Sequence, residues 1–274
     1  RFHKTSWPKD DLPCAGHALS LRHDVMGERQ TMTVDRPVAL ILGSGPNVTA
    51  ATLWPNTWFD HIVAINNAWR VRPDWDALIY PEDFPESRLP EKVDGIQTLV
   101  KASEFVPAQN KFGGFVHAGA TMAFTTAYWA LATLRPKVMA FIGCDMVYPS
   151  QGPTHFYGTG TADPLRDDIT LADLGAKSAR LAIIAAEQDC ACVNLSKDAS
   201  ALLFPRAEPD QLRKRIVSLD LDRARYRTLR DKEEALGYQT PTGRYTQHVD
   251  NVDRAAMADL DLRWRALFSQ QFPD

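Results

Sequence analysis

Apolar residues occur in this chain as short continuous runs, at 38–42, 62–66, 76–80, 96–100, 138–143 and 191–195, each bounded by turn residues. Unbroken runs of that length are expected of strands covered on both faces. Helix-period patterns fall between several of them. The clearest cover 119–134, after the small-residue turn His117-Ala-Gly119, and 170–188, where Thr170 followed by Asp173 reads as a capping box with Asp in place of Glu. Strands alternating with helices predict an α/β fold, a Rossmann-like and mostly parallel sheet with right-handed crossovers.

The pattern is weaker at both ends. Residues 1–35 are polar without a period and read as an N-terminal arm, so the nucleotide-binding core is expected over 36–205. After Pro205 charged helix formers take over, and 206–274 reads as a helical C-terminal extension with helices at 209–236 and 250–270. Seven basic residues between Arg213 and Arg230 face only Asp220 and Asp222 in that stretch. A basic helix of this kind is either a solvated face or a peripheral contact for anionic lipid or a phosphorylated acceptor.

Composition narrows the class. The chain has 274 residues, 45% of them apolar, enough for one substantial core with an appendage. A net charge of -3 provides no overall attraction to nucleic acid, and none is expected as a partner. Apolar runs such as Val138–Cys144 are too short to span a bilayer, and no basic-then-apolar leader pattern is present. The expected location is therefore cytoplasmic, with peripheral association at the inner membrane face through the basic segment; homo-oligomerisation is left open. Cys14, Cys144, Cys190 and Cys192 form no Cys-x-x-Cys pair, and three of them sit in apolar runs, as reduced core thiols do.

Candidate chemistry begins at Val38-Ala-Leu-Ile-Leu-Gly-Ser-Gly-Pro-Asn47, a strand that breaks into a glycine turn. Gly43 and Gly45 allow main-chain N–H groups to approach a phosphate or sugar closely. Two dinucleotide and triphosphate motifs fail on spacing. The third small residue of Gly-x-Gly-x-x-Gly is replaced by Val48, and no Gly-Lys-Ser/Thr follows. Pro46 also removes a donor, so Gly43, Ser44, Gly45, Pro46 and Asn47 suit a mononucleotide or nucleotide sugar.

Ligands of open parallel sheets bind beyond the carboxyl ends of the strands. Beyond the second run lie Asn66 and Asn67, whose amides can donate to and accept from a ribose or a pyrimidine edge. Beyond the third lie Glu82 and Asp83, and beyond the fifth lies Asp145. The loop 146–168 that follows is long for a connector and carries Tyr148, His155, Tyr157 and Arg166, which suits a lid. A histidine there can act as general base, while tyrosine hydroxyls and an arginine can hold a departing phosphate.

Gly-Ser-Gly-Pro-Asn, Ala-Ile-Asn-Asn at 64–67, Ala118-Gly-Ala-Thr-Met and Phe141-Ile-Gly-Cys-Asp-Met-Val-Tyr148 resemble the bacterial sialyltransferases of glycosyltransferase family 42. The order and approximate separations of these motifs match across 38–195. The related motility accessory factors and pterin pyrophosphokinase-like proteins also carry a Gly-x-Gly-Pro-Ser turn. Asn47 stands where the family has serine, as does Ala118 before its glycine, and the lid is shorter. The resemblance implies a GT-A-like scaffold, a CMP-activated nonulosonic sugar as donor and a glycan as acceptor. It further implies metal-independent, inverting transfer, with no cofactor beyond the donor. On it, Gly43, Gly45, Asn47, Asn66, Ala118 and Gly119 are nucleotide-contacting places. A histidine base is implied, with His155 the candidate, and tyrosines on the phosphate, with Tyr157 as the one next to it.

Many nucleotide-sugar transferases instead hold a divalent ion with an Asp-x-Asp pair. Asp74-Trp-Asp76 enters a strand at the wrong end, and Asp220-Leu-Asp222 and Asp259-Leu-Asp261 lie in the extension, so no metal site is expected. The expected function is a sialyltransferase-like glycosyltransferase, in which Asp145 orients the lid or a sugar hydroxyl. Two alternatives stand beside it: ATP-dependent pyrophosphoryl transfer to a pterin-like alcohol, using Asp83 and Asp145 on Mg²⁺, and a noncatalytic nucleotide-sugar-binding protein.

Overall fold

The computed structural model describes residues 31–32, 37–148, 151–159, 168–214, 216–217, 219–247 and 249–272. The expected arm at 1–35 lies almost wholly outside them, apart from a two-residue strand, Thr31–Met32, antiparallel to Ile216–Val217. Six parallel strands make the central sheet: β1 Val38–Leu42, β2 His61–Ile65, β3 Ala77–Ile79, β4 Thr98–Val100, β5 Val138–Ile142 and β6 Ala191–Asn194. Their spatial order is β4-β3-β2-β1-β5-β6, with Leu40 of β1 opposite Ile62 on one side and Ala140 on the other. The chain is thus an α/β protein with a Rossmann-like open sheet.

Burial explains the unbroken apolar runs. All five residues of β1 and of β5 are buried, because each face of the sheet carries its own core. On one face Val38, Leu40, Leu42, Ile62 and Ala64 pack with Val48, Ala51 and Phe59 from the short 3-10 turns that join the first strands. On the other, Ile41, Val63, Ile79 and Phe141 pack under helices. These are α1 Ala102–Lys111, α2 Gly114–Ala118, α3 Met122–Thr133 and α4 Leu174–Glu187, followed by α5 Arg223–Leu236 and α6 Arg254–Ser269. Connections on one face before β4 and on the other after it are what right-handed crossovers impose when strand order reverses.

Three local expectations change. The helix expected from 170 starts at Leu174: Asp173 is itself the N-cap and accepts from the Ala176 N–H, while Asp168 caps the 3-10 turn Ile169–Leu171. The helix expected over 209–236 exists only as α5. Pro209 opens a single 3-10 turn, and Ile216–Val217 is drawn into the small ribbon, so Asp222 becomes the N-cap of a shorter helix. The stretch 102–118, where no helix is expected, holds α1 and α2. Pro107 inside α1 and the Gly113-Gly114 pair, both at positive φ, conceal that pattern.

The extension from 206 shares the main core, since Leu229, Met257, Leu260, Trp264 and Leu267 cluster with the sheet face under the helices. Buried charges fasten it there. Arg180 of α4 is 1% exposed and donates to both Glu233 carboxylate oxygens at 2.6 and 2.8 Å, to the Tyr128 hydroxyl at 2.7 Å and to the Phe112 carbonyl. Lys177 meets Asp261 at 2.8 Å, also in the interior. Among the described residues no helix is long and apolar enough to cross a membrane.

Candidate functional site

Strand order reverses at β1, whose neighbours are β2 and β5, and the crevice belongs beyond its carboxyl end. The turns after β1 and β5 are joined there. The Gly43 N–H donates to the Ile142 carbonyl and the Gly45 N–H to the Gly143 carbonyl, both at 2.8 Å. This contact explains the glycines better than a phosphate does. A Cβ on Gly43 would collide with the Gly143 carbonyl, and one on Gly143, at φ +70°, would lie 2.8 Å from the Val48 Cβ.

Two cavities open on either side of the joined turns. The first, about 320 Å³, is lined by Gly43, Ser44, Asn66, Asn67 and Tyr157, with Asp83 and Arg88 from the loop after β3. The second, about 310 Å³, is lined by Gly45, Pro46, Asn47, Asp145, Thr154 and Asp198. Ser44, Gly143, Met146, Tyr148 and His155 line both. His155 therefore belongs to the wall between the cavities.

The loop carrying His155 is held by its backbone. His155 and Gly158 exchange N–H···O=C bonds of 2.9 and 3.0 Å, and the Phe156 N–H donates to the Ser44 carbonyl at 3.0 Å. Phe156 also packs on the core under β1. His155 stacks on Tyr157 with ring centroids 5.0 Å apart, and Tyr148 lies 6.1 Å away. Nδ1 is 2.9 Å from the Thr154 hydroxyl. If Nδ1 carries the proton and Thr154 accepts it, Nε2 holds the lone pair of a general base.

Asn66, which lines the first cavity, adopts a left-handed backbone at φ +53°, which costs any L-residue energy. The side-chain oxygens of Asn66 and Asn67 are buried and accept no hydrogen bond among the described residues. Such acceptors are costly unless water or a ligand donates to them. The α3 N-terminus completes the wall through Thr121, Met122 and Ala123, with the Thr121 hydroxyl accepting from the Phe124 N–H.

The expected site residues divide as follows. Gly43, Ser44, Asn66, Asn67, Tyr148, His155 and Tyr157 come together in the first cavity, while Gly45, Pro46, Asn47 and Asp145 face the second. Ala118 and Gly119 line neither cavity. Ala118 is fully buried, and Gly119 packs against Phe124 and Lys177, because α3 begins three residues later than expected. Arg166 lies outside the described residues.

Asp145 is a hub. Its Oδ2 accepts from Asn47 Nδ2 at 2.6 Å and from the Ser196 hydroxyl at 2.7 Å, and its carboxylate also meets Asn194. The Asn47 amide nitrogen is shared further with Ser196 and Asp198. Asn194, Ser196 and Asp198 escaped sequence reasoning, as did Arg88 and Thr121. The same strand-end rule, applied after β6 to Asn194-Leu-Ser-Lys-Asp198, would have found the first three.

Of the acid pair of the pyrophosphokinase alternative, Asp83 lines the first cavity and Asp145 the second. Asp74 pairs with Arg72, and Asp76 accepts from the Ile62 N–H, so this Asp-x-Asp segment serves strand starts. The basic stretch is broken up by ion pairs: Arg213 with Asp60, Arg223 with Glu187, Arg225 with Asp222 and Arg230 with Glu233. Cys144, Cys190 and Cys192 are free and buried, and burial pushes the Cys190 thiol up to about 12.

Fold and site together define an open α/β protein with a crevice at its switch point, split by a histidine-bearing loop into two cavities. No family model, curated protein or solved structure matches the chain.

Proposed function

We propose that the protein is an inverting, metal-independent glycosyltransferase, moving a nonulosonic, sialic-acid-like sugar from a CMP-activated donor to a hydroxyl of a glycan acceptor. The observation that carries this reading is the position of His155 on the wall common to two cavities of similar size. A transferase must hold donor and acceptor on opposite sides of one reacting carbon, and its base must reach the acceptor.

In this reading the nucleotide occupies the first cavity. Ribose or base groups donate to the orphaned oxygens of Asn66 and Asn67, and Tyr148 and Tyr157 hydrogen-bond the phosphate. The acceptor enters the second cavity. His155 Nε2 takes the hydroxyl proton as the new C–O bond forms, and the anomeric C–O bond to phosphate breaks with its electron pair leaving on CMP. Attack from the opposite cavity inverts the anomeric carbon. Asp145 holds Asn47 and the β6 loop in place and does not attack.

The test is thermal shift with CMP, UMP, UDP, GDP and ATP, each with and without Mg²⁺, together with CMP release from CMP-N-acetylneuraminate. CMP stabilises the fold without metal by mass action. His155→Ala keeps that stabilisation and loses about 10²- to 10⁴-fold in CMP release, the range for a general base. Full activity in His155→Ala removes the base. Stabilisation by ATP with Mg²⁺ alone removes the reading.

A further inference from the structure

Both cavities hold acceptors without a partner among the described residues, but their charges differ. We infer that the second cavity takes an ammonium-bearing polyol, an amino sugar, as acceptor and that Asp198 selects it. This rests on the transferase reading, of which it specifies the acceptor.

The hydrogen-bond inventory leads to this assignment. Asn47 Nδ2 lies within 2.9 Å of three acceptors, on Asp145, Ser196 and Asp198, which fixes the orientation of the amide. Its oxygen is consequently turned away from them, buried and without a hydrogen bond among the described residues. Asp198 gives one carboxylate oxygen to Asn47, and its other oxygen has no hydrogen bond among the described residues. The unused capacity of Asn47 and Asp198 is thus an amide oxygen and a carboxylate oxygen, both acceptors. An ammonium group has three donors and no lone pair, so it matches that set.

Charge points the same way. Asp145 and Asp198 line the second cavity, and none of its described lining residues is Lys or Arg. The nearest cations along the chain are engaged elsewhere: Lys197 pairs with Glu208 at 3.2 Å, and Arg206 donates to the carbonyls of Ser196 and Asp198. The first cavity contrasts with it, since Arg88 and the helix N-terminus at Thr121–Ala123 oppose Asp83 there. An anionic donor and a cationic acceptor therefore each find the compatible side, whereas a phosphorylated acceptor meets two carboxylates. Met146, Val147 and Pro153 supply apolar surface for the carbon face of a sugar ring.

The experiment uses glucosamine, glucose and glucose 6-phosphate as probes, titrated by ligand-observed NMR onto the full chain with and without saturating CMP. Glucosamine is expected to bind most tightly and glucose 6-phosphate most weakly. Asp198→Asn weakens glucosamine by up to about fivefold, as for a solvent-accessible ion pair, and leaves glucose within about twofold. Glu91→Gln, an exposed acid lining neither cavity, changes neither probe, and 0.5 M salt narrows the gap between glucosamine and glucose. Tightest binding of glucose 6-phosphate overturns the inference, and so does an Asp198→Asn variant with unchanged preference. If CMP fails to stabilise the protein while the probe order and its Asp198 dependence hold, the transferase reading falls and the cavity assignment stands. If CMP binds and the order fails, only the inference falls.

Discussion

Glu233→Gln tests how the C-terminal extension is fastened to the core. Glu233 is 4% exposed, and its carboxylate accepts from Arg180 at 2.6 and 2.8 Å, Arg230 at 2.5 Å and the Trp264 indole at 2.9 Å. Burial alone would raise its pKa, but the Arg180 guanidinium, followed by His117 and Arg230, outweighs burial and brings it from 4.5 to about 2. At 1.36 kcal/mol per pH unit, that gap corresponds to about 3 kcal/mol of native-state stabilisation. Because the folded pKa is depressed, this contribution is complete above the ordinary carboxyl value. It falls away as pH drops from about 4.5 to about 2. A glutamine offers the two guanidinium groups one neutral acceptor and presents its own donors to the rest, so a cost of about 3–5 kcal/mol is expected at pH 7. That is a large share of the 5–15 kcal/mol typical of a domain. Urea unfolding followed by tryptophan fluorescence at pH 7, 4.5 and 2.5 reads both effects. The gap between the two proteins should narrow toward pH 2.5. A double variant, Arg180→Met with Glu233→Leu, should lose less than the sum of its single changes, since neither charge is left uncompensated. A cost below about 1 kcal/mol for Glu233→Gln, or a gap that does not change with pH, would refute the reasoning.

Three further outcomes follow from local geometry. At φ +53°, Asn66→Ala should destabilise by about 1–2 kcal/mol while Asn66→Gly stays near wild type, and both should lose stabilisation by CMP; equal urea midpoints for the two would contradict the strain. Gly43→Ala forces a methyl against the Gly143 carbonyl and should lower stability by about 1–3 kcal/mol in urea, with an unchanged midpoint showing that the turns separate easily. His117, buried with both ring nitrogens unpartnered among the described residues and stacked on Tyr238, is depressed by burial from 6.5 to about 4, so the unfolded chain takes its proton first. Its contribution of about 3 kcal/mol is lost as pH falls from 6.5 toward 4, and His117→Phe should flatten stability over that window in midpoints at pH 7, 5.5 and 4.

The amino-acid sequence by itself determined the six strands to within two residues at either end and the existence of α3, α4 and α6, because burial on both faces demands continuous apolar runs and packed helices demand their period. It also determined which polar residues stand at strand ends, hence Gly43, Asn66, Asp145 and the loop with His155. It did not determine where α5 begins. Propensity favours helix from 209, yet Ile216–Val217 pairs with Thr31–Met32, some 185 residues away in the chain. Nor could spacing along the chain show that the glycines at 43 and 143 serve each other's turns, that Ala118 is sealed in the core, or that Asn47 is shared by Asp145, Ser196 and Asp198. Those facts depend on contacts between β1, β5 and β6, and parallel strands bring together residues separated by whole crossovers. The placement of the His155 loop between the two cavities is of the same kind, since the Phe156 N–H meets the Ser44 carbonyl across 112 positions of sequence.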